Sequence, residues 1–325
     1  MPAAAGICNT VRPHYVRGRT VPPQDLSALQ ATIASCAKQV GIDTLSPDFP
    51  VLNIRNARSS ASISLYGAQV LGFQPQGKHE LLWLSADARF AQGRSIRGGI
   101  PLCWPWFGPH PDNTDMPAHG FARHRHWRLD QVSGDDHCTR LDFSLPSTED
   151  AATLWASPTE LTLTVIVGPA LELALTTTNS GSAPVQISAA LHTYFTVSDI
   201  GAIRIEGLDD TLFRDAVNGD RICRQCGPIR FHSELDRVYH DTGADVVIHD
   251  PTRDHCIRIG KGGSRSTVVW NPWVEKAARL GDIPAGAYRQ MVCVETANAD
   301  HNRVALLPGE SHCLSTTISC EGAGS

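Results

Sequence analysis

A histidine and a glutamate, each beside an apolar strand-like run, are the side chains of this sequence best suited to proton transfer. Between Val185 and Phe195 a period of two places His192 and Tyr194 on one face, opposite a mainly apolar face. Glu295 ends an apolar run, where partial desolvation would raise the carboxyl pKa and make it a better base. Taken singly, each has a plainer interpretation, because such residues more often face water. Glu295 is therefore a candidate base, and the strand face that carries His192 could line a polar cleft.

Two glycine-containing segments add cationic and aromatic side chains. Arg97 precedes a glycine pair and a run with Trp104 and Trp106, and H-G-F-A-R spans His119 to Arg123. Glycine permits close approach of backbone to a ligand, and indole faces can stack on the apolar face of a sugar. The alternatives are a buried aromatic turn with Arg97 at the surface for the first segment, and a capped turn with a satisfied histidine for the second. The following run, 124–126, is interpreted as solvated charge.

Two later segments hold further polar and aromatic groups. Asp236 lies in L-D-R-V-Y, and Trp273 lies in W-N-P-W-V-E-K at a predicted strand-to-loop exit, a common place for binding groups. Cys223 and Cys226 form a lone C-x-x-C. A zinc site needs two more ligands, and no second pair follows at ligand spacing, so we expect no metal there.

Composition excludes several classes of function. The chain has 325 residues, 42% of them hydrophobic and 19% charged, and a formal net charge of −5. That balance argues against nucleic acid or an anionic membrane as partner. No apolar stretch approaches the roughly 18 residues that a membrane helix needs, and no secretory signal is recognised. The cysteines suggest no disulfide framework, so a cytoplasmic location is expected.

The pattern of elements changes near residue 50. Apolar residues at helical spacing predict a helix from Gln24 to Val40, and prolines on both sides set it apart. We therefore predict an N-terminal extension, residues 1–45, and a β domain, residues 46–325, that folds and turns over without it. From Val51 onward, short β-like runs bounded by Gly, Pro, Asn and Asp favour an all-β sandwich or barrel. Asn179–Ser182 is interpreted as a hairpin turn.

Six separated blocks, taken in order, resemble the hexose-6-phosphate mutarotase (glucose-6-phosphate 1-epimerase) family of the aldose 1-epimerase superfamily. They are R-G-G-I-P-L-C-W-P-W-F-G, H-G-F-A-R, L-H-T-Y-F, L-D-R-V-Y, W-N-P-W-V-E-K-A and Y-R-Q-M-V-C-V-E-T-A-N. The resemblance covers residues 50 to 320 and implies a large antiparallel β supersandwich of the galactose mutarotase type. It also implies interconversion of the α and β anomers of a hexose 6-phosphate, for which no cofactor or metal is required. We separately expect a monomer.

The resemblance assigns roles to particular positions. It makes His192 the general acid and Glu295 the general base. His119 and Asp236 would hold ring and hydroxyl oxygens, and Arg97 and Arg123 would bind phosphate through guanidinium groups. The predicted substrate-binding residues are Arg97, His119, Arg123, Asp236 and Trp273.

Other functions remain open at this point. A carbohydrate-binding protein without turnover would keep the aromatic platform and the arginines, and a turnover assay separates it. A mutarotase of unphosphorylated aldoses would use the same acid and base. A glycoside hydrolase using Asp236 and Glu295 would release reducing ends. A scaffold protein has only the N-terminal helix in its favour.

Overall fold

Antiparallel strands make up most of the protein. The computed structural model describes residues 24–46, 48–253 and 255–322, within which lie three α-helices and 22 strands. The helices are α1 (Leu26–Ile33), α2 (Glu149–Leu154) and α3 (Trp273–Leu280). The strands are β1 (Val40–Ser46), β2 (Phe49–Arg55), β3 (Ser59–Ser64), β4 (Gln69–Pro75), β5 (Leu102–Cys103), β6 (Arg128–Gly134), β7 (Thr139–Ser144), β8 (Thr159–Val167), β9 (Leu171–Asn179), β10 (Val185–Ile187), β11 (Ala189–Leu191), β12 (Tyr194–Thr196), β13 (Arg204–Glu206), β14 (Leu212–Asp215), β15 (Arg221–Arg224), β16 (Leu235–Tyr239), β17 (Val246–His249), β18 (His255–Gly262), β19 (Ser266–Asn271), β20 (Met291–Asn298), β21 (Val304–Leu306) and β22 (Ser311–Gly322).

Two eight-stranded sheets dominate the topology. The first has the order β15-β14-β16-β19-β20-β11-β5, with β12 also paired to β20, and the second has the order β13-β17-β18-β22-β9-β8-β7-β6. A four-stranded sheet, β1-β2-β3-β4, and the pair β10-β21 complete the set. The predicted all-β antiparallel sandwich is confirmed. Among the described residues, no helix is long and apolar enough to cross a membrane.

The main core lies between the two large sheets, because alternate side chains of each strand point inward. Val269, Val292 and Val294 of the first sheet and Leu173, Leu175 and Ile257 of the second are buried in one cluster. The intervening residues of β19 and β20 therefore point to the opposite face of the first sheet. That opposite face, here called the outer face, carries the candidate site.

The predicted strand from Val185 to Phe195 is divided into three. β10 pairs with β21, whereas β11 and β12 both pair with β20. The predicted period of two nevertheless holds, because Leu191 and Phe195 lie in the main core while His192 and Tyr194 stack on each other. The hairpin expected at Asn179–Ser182 was wrong, because β9 pairs with β8 and β22 and not with β10.

The N-terminal helix is shorter than predicted. α1 ends at Ile33, a 3₁₀ turn follows, and Val40 begins β1, which pairs with β2. Leu29 and Ile33 are buried in the main core. The Gln24 side chain accepts from the backbone N–H of Leu129 at 3.0 Å and donates to its carbonyl at 3.3 Å. The division into units 1–45 and 46–325 stays a prediction, and these contacts bear on how to test it.

A truncation that begins at Ser46 is expected to lower the melting temperature by on the order of 10 °C. Loss of a buried Leu or Ile side chain costs about 2–5 kcal/mol, the truncation removes two of them, and each kcal/mol is worth roughly 1.5 °C in a chain of 325 residues. The control is a truncation that begins at Gln24, which keeps α1 and β1. Thermal unfolding by circular dichroism measures both. If the Ser46 truncation has the same melting temperature as the full chain, residues 1–45 form an independent extension.

Candidate active site

The outer face of the first sheet gathers the polar side chains that the sequence singled out. Glu295 lies in β20, opposite Val268 of β19, so both side chains point to this face. Cys293, two residues before Glu295 in β20, pairs with Trp270 of β19, and Trp270 pairs with Asp236 of β16. Strand pairing thus brings residues 236, 270, 293 and 295 to one surface.

His192 meets Glu295 at this surface. The His192 Nε2 and Glu295 Oε1 atoms are 3.3 Å apart, and the two side chains are 10% and 2% exposed. His192 Nδ1 and Glu295 Oε2 are buried and have no hydrogen-bond partner within the described ranges. A buried polar atom without a partner calls for a structural or functional explanation. The predicted acid and base are therefore in direct contact.

Burial shifts both groups of this pair toward their neutral forms. It raises the pKa of Glu295 well above its ordinary value, with Asp236 adding to the rise and Arg123 opposing it. It lowers the pKa of His192 well below its ordinary value, and His119, Arg123 and Arg97 lower it further. Groups this close titrate as a unit, and in the neutral pair the one proton lies on Glu295.

Aromatic rings enclose the pair. The Tyr194 ring stacks on the His192 ring, with centroids 4.9 Å apart and planes 10° apart. Trp270 meets His192 edge-on at 6.1 Å, and His119 does so at 5.8 Å. These packed rings limit the rotation of His192.

His119 is held in one orientation by the backbone. It has a φ of 65°, and a Cβ on the following Gly120 would lie 1.9 Å from the carbonyl oxygen of Trp104. The Gly108 N–H donates to His119 Nδ1 at 3.3 Å, which leaves Nε2 to carry the ring proton. Burial lowers the pKa of His119 to about 3, with Arg123 contributing. The neutral His119 ring therefore has an Nε2–H donor, a group suited to a sugar oxygen.

Arg97 is the more constrained of the two predicted phosphate ligands. Its Nε donates to Asp282 Oδ1 at 3.0 Å and its Nη1 donates to the Tyr194 hydroxyl at 2.9 Å. Burial alone would lower the pKa of Arg97, but Tyr194 and Asp282 raise it above the ordinary value, so the guanidinium stays charged. The glycines after Arg97 approach other backbone: a Cβ on Gly99 would lie 2.1 Å from the Val70 carbonyl oxygen.

The loop that carries Asp282 is tied to the segment before Arg97. Ser85 Oγ donates to the Asp282 carbonyl at 2.6 Å, and Arg89 Nη2 donates to the Gly281 carbonyl at 2.9 Å. These contacts fix the carboxylate that orients Arg97.

Arg123 has more hydrogen-bonding capacity to spare. Its Nη2 donates to the Ala118 carbonyl at 2.8 Å, while its buried Nε has no hydrogen-bond partner in the described part of the chain. Its charge lowers the pKa of His119, His192 and Glu295 alike. An anion bound beside Arg123 would accept the hydrogen bond that this Nε can donate.

Asp236 is held by a lysine that the sequence did not single out. Lys276 Nζ lies 3.3 Å from Asp236 Oδ2 and 2.9 Å from Glu234 Oε1. Burial raises the pKa of Asp236, and Lys276 opposes that rise. Lys276 Nζ is also 5.9 Å from the centroid of the Trp270 ring.

Trp273 begins α3, and its described ring contact is with Tyr288, at 5.4 Å. Its predicted role in substrate binding stays a prediction. Trp270 is the indole that contacts His192. The prediction that 124–126 is solvated was wrong: His126 is only 4% exposed, and it packs against Phe49 and Tyr66.

One set of potential metal ligands occurs among the described residues. One ligand atom each from His192, Cys293 and Glu295 lie within 4.8 Å of one another, and all three residues are buried.

Comparison with known proteins identifies the family. The family model of aldose 1-epimerase matches residues 50–319. The chain belongs to the aldose 1-epimerase family. It is 36% identical, over 78% of its length and 84% of the relative, to a protein of Salmonella typhimurium named as a candidate glucose-6-phosphate 1-epimerase. It is 37% identical, over 79% of its length and 80% of the relative, to one of Cenchrus ciliaris with the same name. The crystal structure of a candidate mutarotase from Salmonella typhimurium superposes with a TM-score of 0.82 at 32% identity, covering 88% of this chain and 95% of that one.

This aldose 1-epimerase is an isomerase, and several residues at its candidate site were not predicted from sequence. Tyr194, Trp270, Lys276 and Asp282 contact predicted site residues. Tyr194 carried a signal, because the period of two places it on the His192 face. Asp282 carried none, since its ion pair with Arg97 joins residues 185 positions apart.

Proposed function

We propose that this aldose 1-epimerase interconverts the α and β anomers of a hexose 6-phosphate, with glucose 6-phosphate as the first substrate to test. The contact between His192 and Glu295 carries the proposal, because ring opening of a hemiacetal needs a base and an acid at one place. Two relatives named as candidate glucose-6-phosphate 1-epimerases support the choice of substrate. We further propose a cytoplasmic monomer that binds neither nucleic acid nor membrane.

Ring opening requires the single proton of the pair to lie on His192, with Glu295 ionised, and the 3.3 Å contact lets the proton pass between them. Glu295 accepts the proton of the C1 hydroxyl while His192 gives a proton to the ring oxygen, so that the bond between C1 and the ring oxygen breaks. The resulting aldehyde rotates about its C1–C2 bond and presents its other face. Reversal of the two transfers closes the ring as the opposite anomer. The unpaired Glu295 Oε2 is an acceptor that a sugar hydroxyl can reach once substrate enters.

The other predicted residues bind and orient the sugar in this proposal. His119, as a neutral Nε2–H donor, and Asp236, held by Lys276, contact ring and hydroxyl oxygens. Trp273 contributes to the edge of the site. Arg97 and Arg123 bind the phosphate, and charge-assisted bonds from guanidinium suit that group.

Anomer-exchange NMR on glucose 6-phosphate tests the proposal directly. With protein present, we expect exchange cross-peaks between the anomeric protons to grow faster than in buffer alone. Exchange at the buffer rate would support a carbohydrate-binding protein without turnover. Faster exchange on free glucose than on its 6-phosphate would support the mutarotase of unphosphorylated aldoses, which the ion pair of Arg97 with Asp282 favours.

Arg97→Ala and Arg123→Ala are each expected to raise KM for glucose 6-phosphate by about 10- to 150-fold. A charge-assisted contact to phosphate contributes on the order of 1.5–3 kcal/mol, and 1.4 kcal/mol is tenfold. Turnover of free glucose should change little, because it has no phosphate to lose. Arg94→Ala, at an exposed arginine of the same segment, is the matched control. Equal losses on the two substrates would show that the arginine only braces its loop.

A further inference from the structure

Cys293 is the buried residue at this site that anomer exchange does not use. It lies two positions before Glu295 in β20, on the outer face, and is fully buried among Trp83, Tyr194 and Trp270. Burial raises the pKa of its thiol well above the ordinary value, and the neighbouring Glu295 raises it further. In the apo protein the thiol is therefore a neutral group beside the acid–base pair.

We propose that His192, Cys293 and Glu295 form a binding site for a thiophilic divalent ion such as Zn²⁺, and that an ion bound there blocks turnover. The ligation stands on the geometry alone, whereas the block rests on the proposed function. Each residue offers one ligand atom, and these atoms lie within 4.8 Å of one another.

The distances are close to those of a tetrahedral site. Bonds of about 2.0–2.3 Å place neighbouring ligand atoms about 3.3–3.8 Å apart. His192 Nε2 and Glu295 Oε1 are already 3.3 Å apart, so they form one edge of such a site. Small side-chain rotations would bring the sulfur to the other two atoms.

The donor set selects the kind of ion. Thiolate, imidazole and carboxylate together suit Zn²⁺ and Co²⁺, whereas Mg²⁺ and Ca²⁺ prefer oxygen ligands. Binding requires a thiolate, a neutral imidazole and a carboxylate, so the thiol proton and the proton of the pair leave to solvent. The cation then balances two anionic ligands in a buried site.

The ion occupies the groups that the reaction needs. With Glu295 and His192 both bound to metal, neither can exchange a proton with the sugar. The ion and the hexose phosphate therefore compete for the same place. Three protein ligands leave the fourth position to water.

The experiment measures binding and inhibition separately on the full chain. Calorimetry with Zn²⁺ gives affinity, and Co²⁺ gives a thiolate-to-metal absorption band in the near ultraviolet. Cys293→Ala should weaken Zn²⁺ binding by more than about tenfold, since loss of even an outer-shell partner costs roughly 10- to 100-fold. It should also abolish the band. Cys103→Ala, at a buried thiol outside the ligand set, is the matched control and should keep both. Circular dichroism confirms folding.

The outcomes distinguish the two parts of the proposal. Unchanged Zn²⁺ affinity in Cys293→Ala, or a cobalt band that Cys103→Ala removes, would overturn the ligand set. Zn²⁺ that binds at this site without slowing anomer exchange would overturn the block alone. A wild-type protein with no exchange activity would overturn the proposed function, while the Zn²⁺ calorimetry and the Co²⁺ absorption band would still test the metal site. Mg²⁺ should neither bind nor inhibit.

Discussion

Glu295→Gln is expected to lower the rate of catalysed anomer exchange by roughly 10²- to 10⁴-fold, which is the usual contribution of a general base. The amide has nearly the same shape as the carboxylate but accepts no proton at neutral pH. Burial already disfavours the charged form of Glu295, so the neutral amide should fold as stably as the wild type. Anomer-exchange NMR at matched concentrations measures the effect.

The control for Glu295→Gln is Glu234→Gln, a change of the same type at the carboxylate that pairs with Lys276. We expect it to retain most activity. An unchanged melting temperature for Glu295→Gln would show that the loss is chemical. Near wild-type exchange by folded Glu295→Gln protein would remove Glu295 from the role of base.

His192→Asn is expected to reduce exchange by a similar factor, because the amide cannot deliver a proton to the ring oxygen. Its effect should also appear in the pH profile. The wild-type rate should fall toward high pH, where the pair loses its only proton. It should also fall toward low pH, where the pair takes up a second one. Since burial lowers the pKa of His192, this second fall should lie below the unperturbed value of about 6.5.

The pH profile of the residual His192→Asn activity should show no fall toward high pH. Circular dichroism is the control for folding. His232→Asn, at an exposed histidine, should keep the wild-type rate and profile. A wild-type rate that is flat from pH 6 to 9 would remove the acid role, unless bound substrate raises the imidazole pKa above that range.

Strand-forming segments were predictable where local pattern decides structure. Short β-like runs were predicted from Val51 onward, and Val51 lies in β2, which is followed by β3 to β22. Alternation and flanking turn residues carry that information. The predicted helix from Gln24 failed beyond Ile33, because pairing of β1 with β2 prevails over helical spacing at Val40.

The site was predictable in its chemistry and less so in its contacts. His192 and Glu295 were predicted from their strands, and the structure brings them within 3.3 Å. Arg97 was predicted without Asp282, and Asp236 without Lys276, because pairing between distant segments leaves no local signal. His126 was interpreted as solvated because charged neighbours flank it, although aromatic packing buries it.

The anchoring of Arg97 separates two properties that evolution or design could change independently. Glu295 lies on β20, which is paired on both sides, and His192 lies between β11 and β12, both of which pair with β20. Arg97 is instead oriented by Asp282 on a loop tied to Ser85 and Arg89. Exchange of that loop between relatives should therefore alter preference among phosphorylated and plain sugars while the pair stays in place. Such a chimaera would be a route to new substrates that leaves the chemistry of ring opening intact.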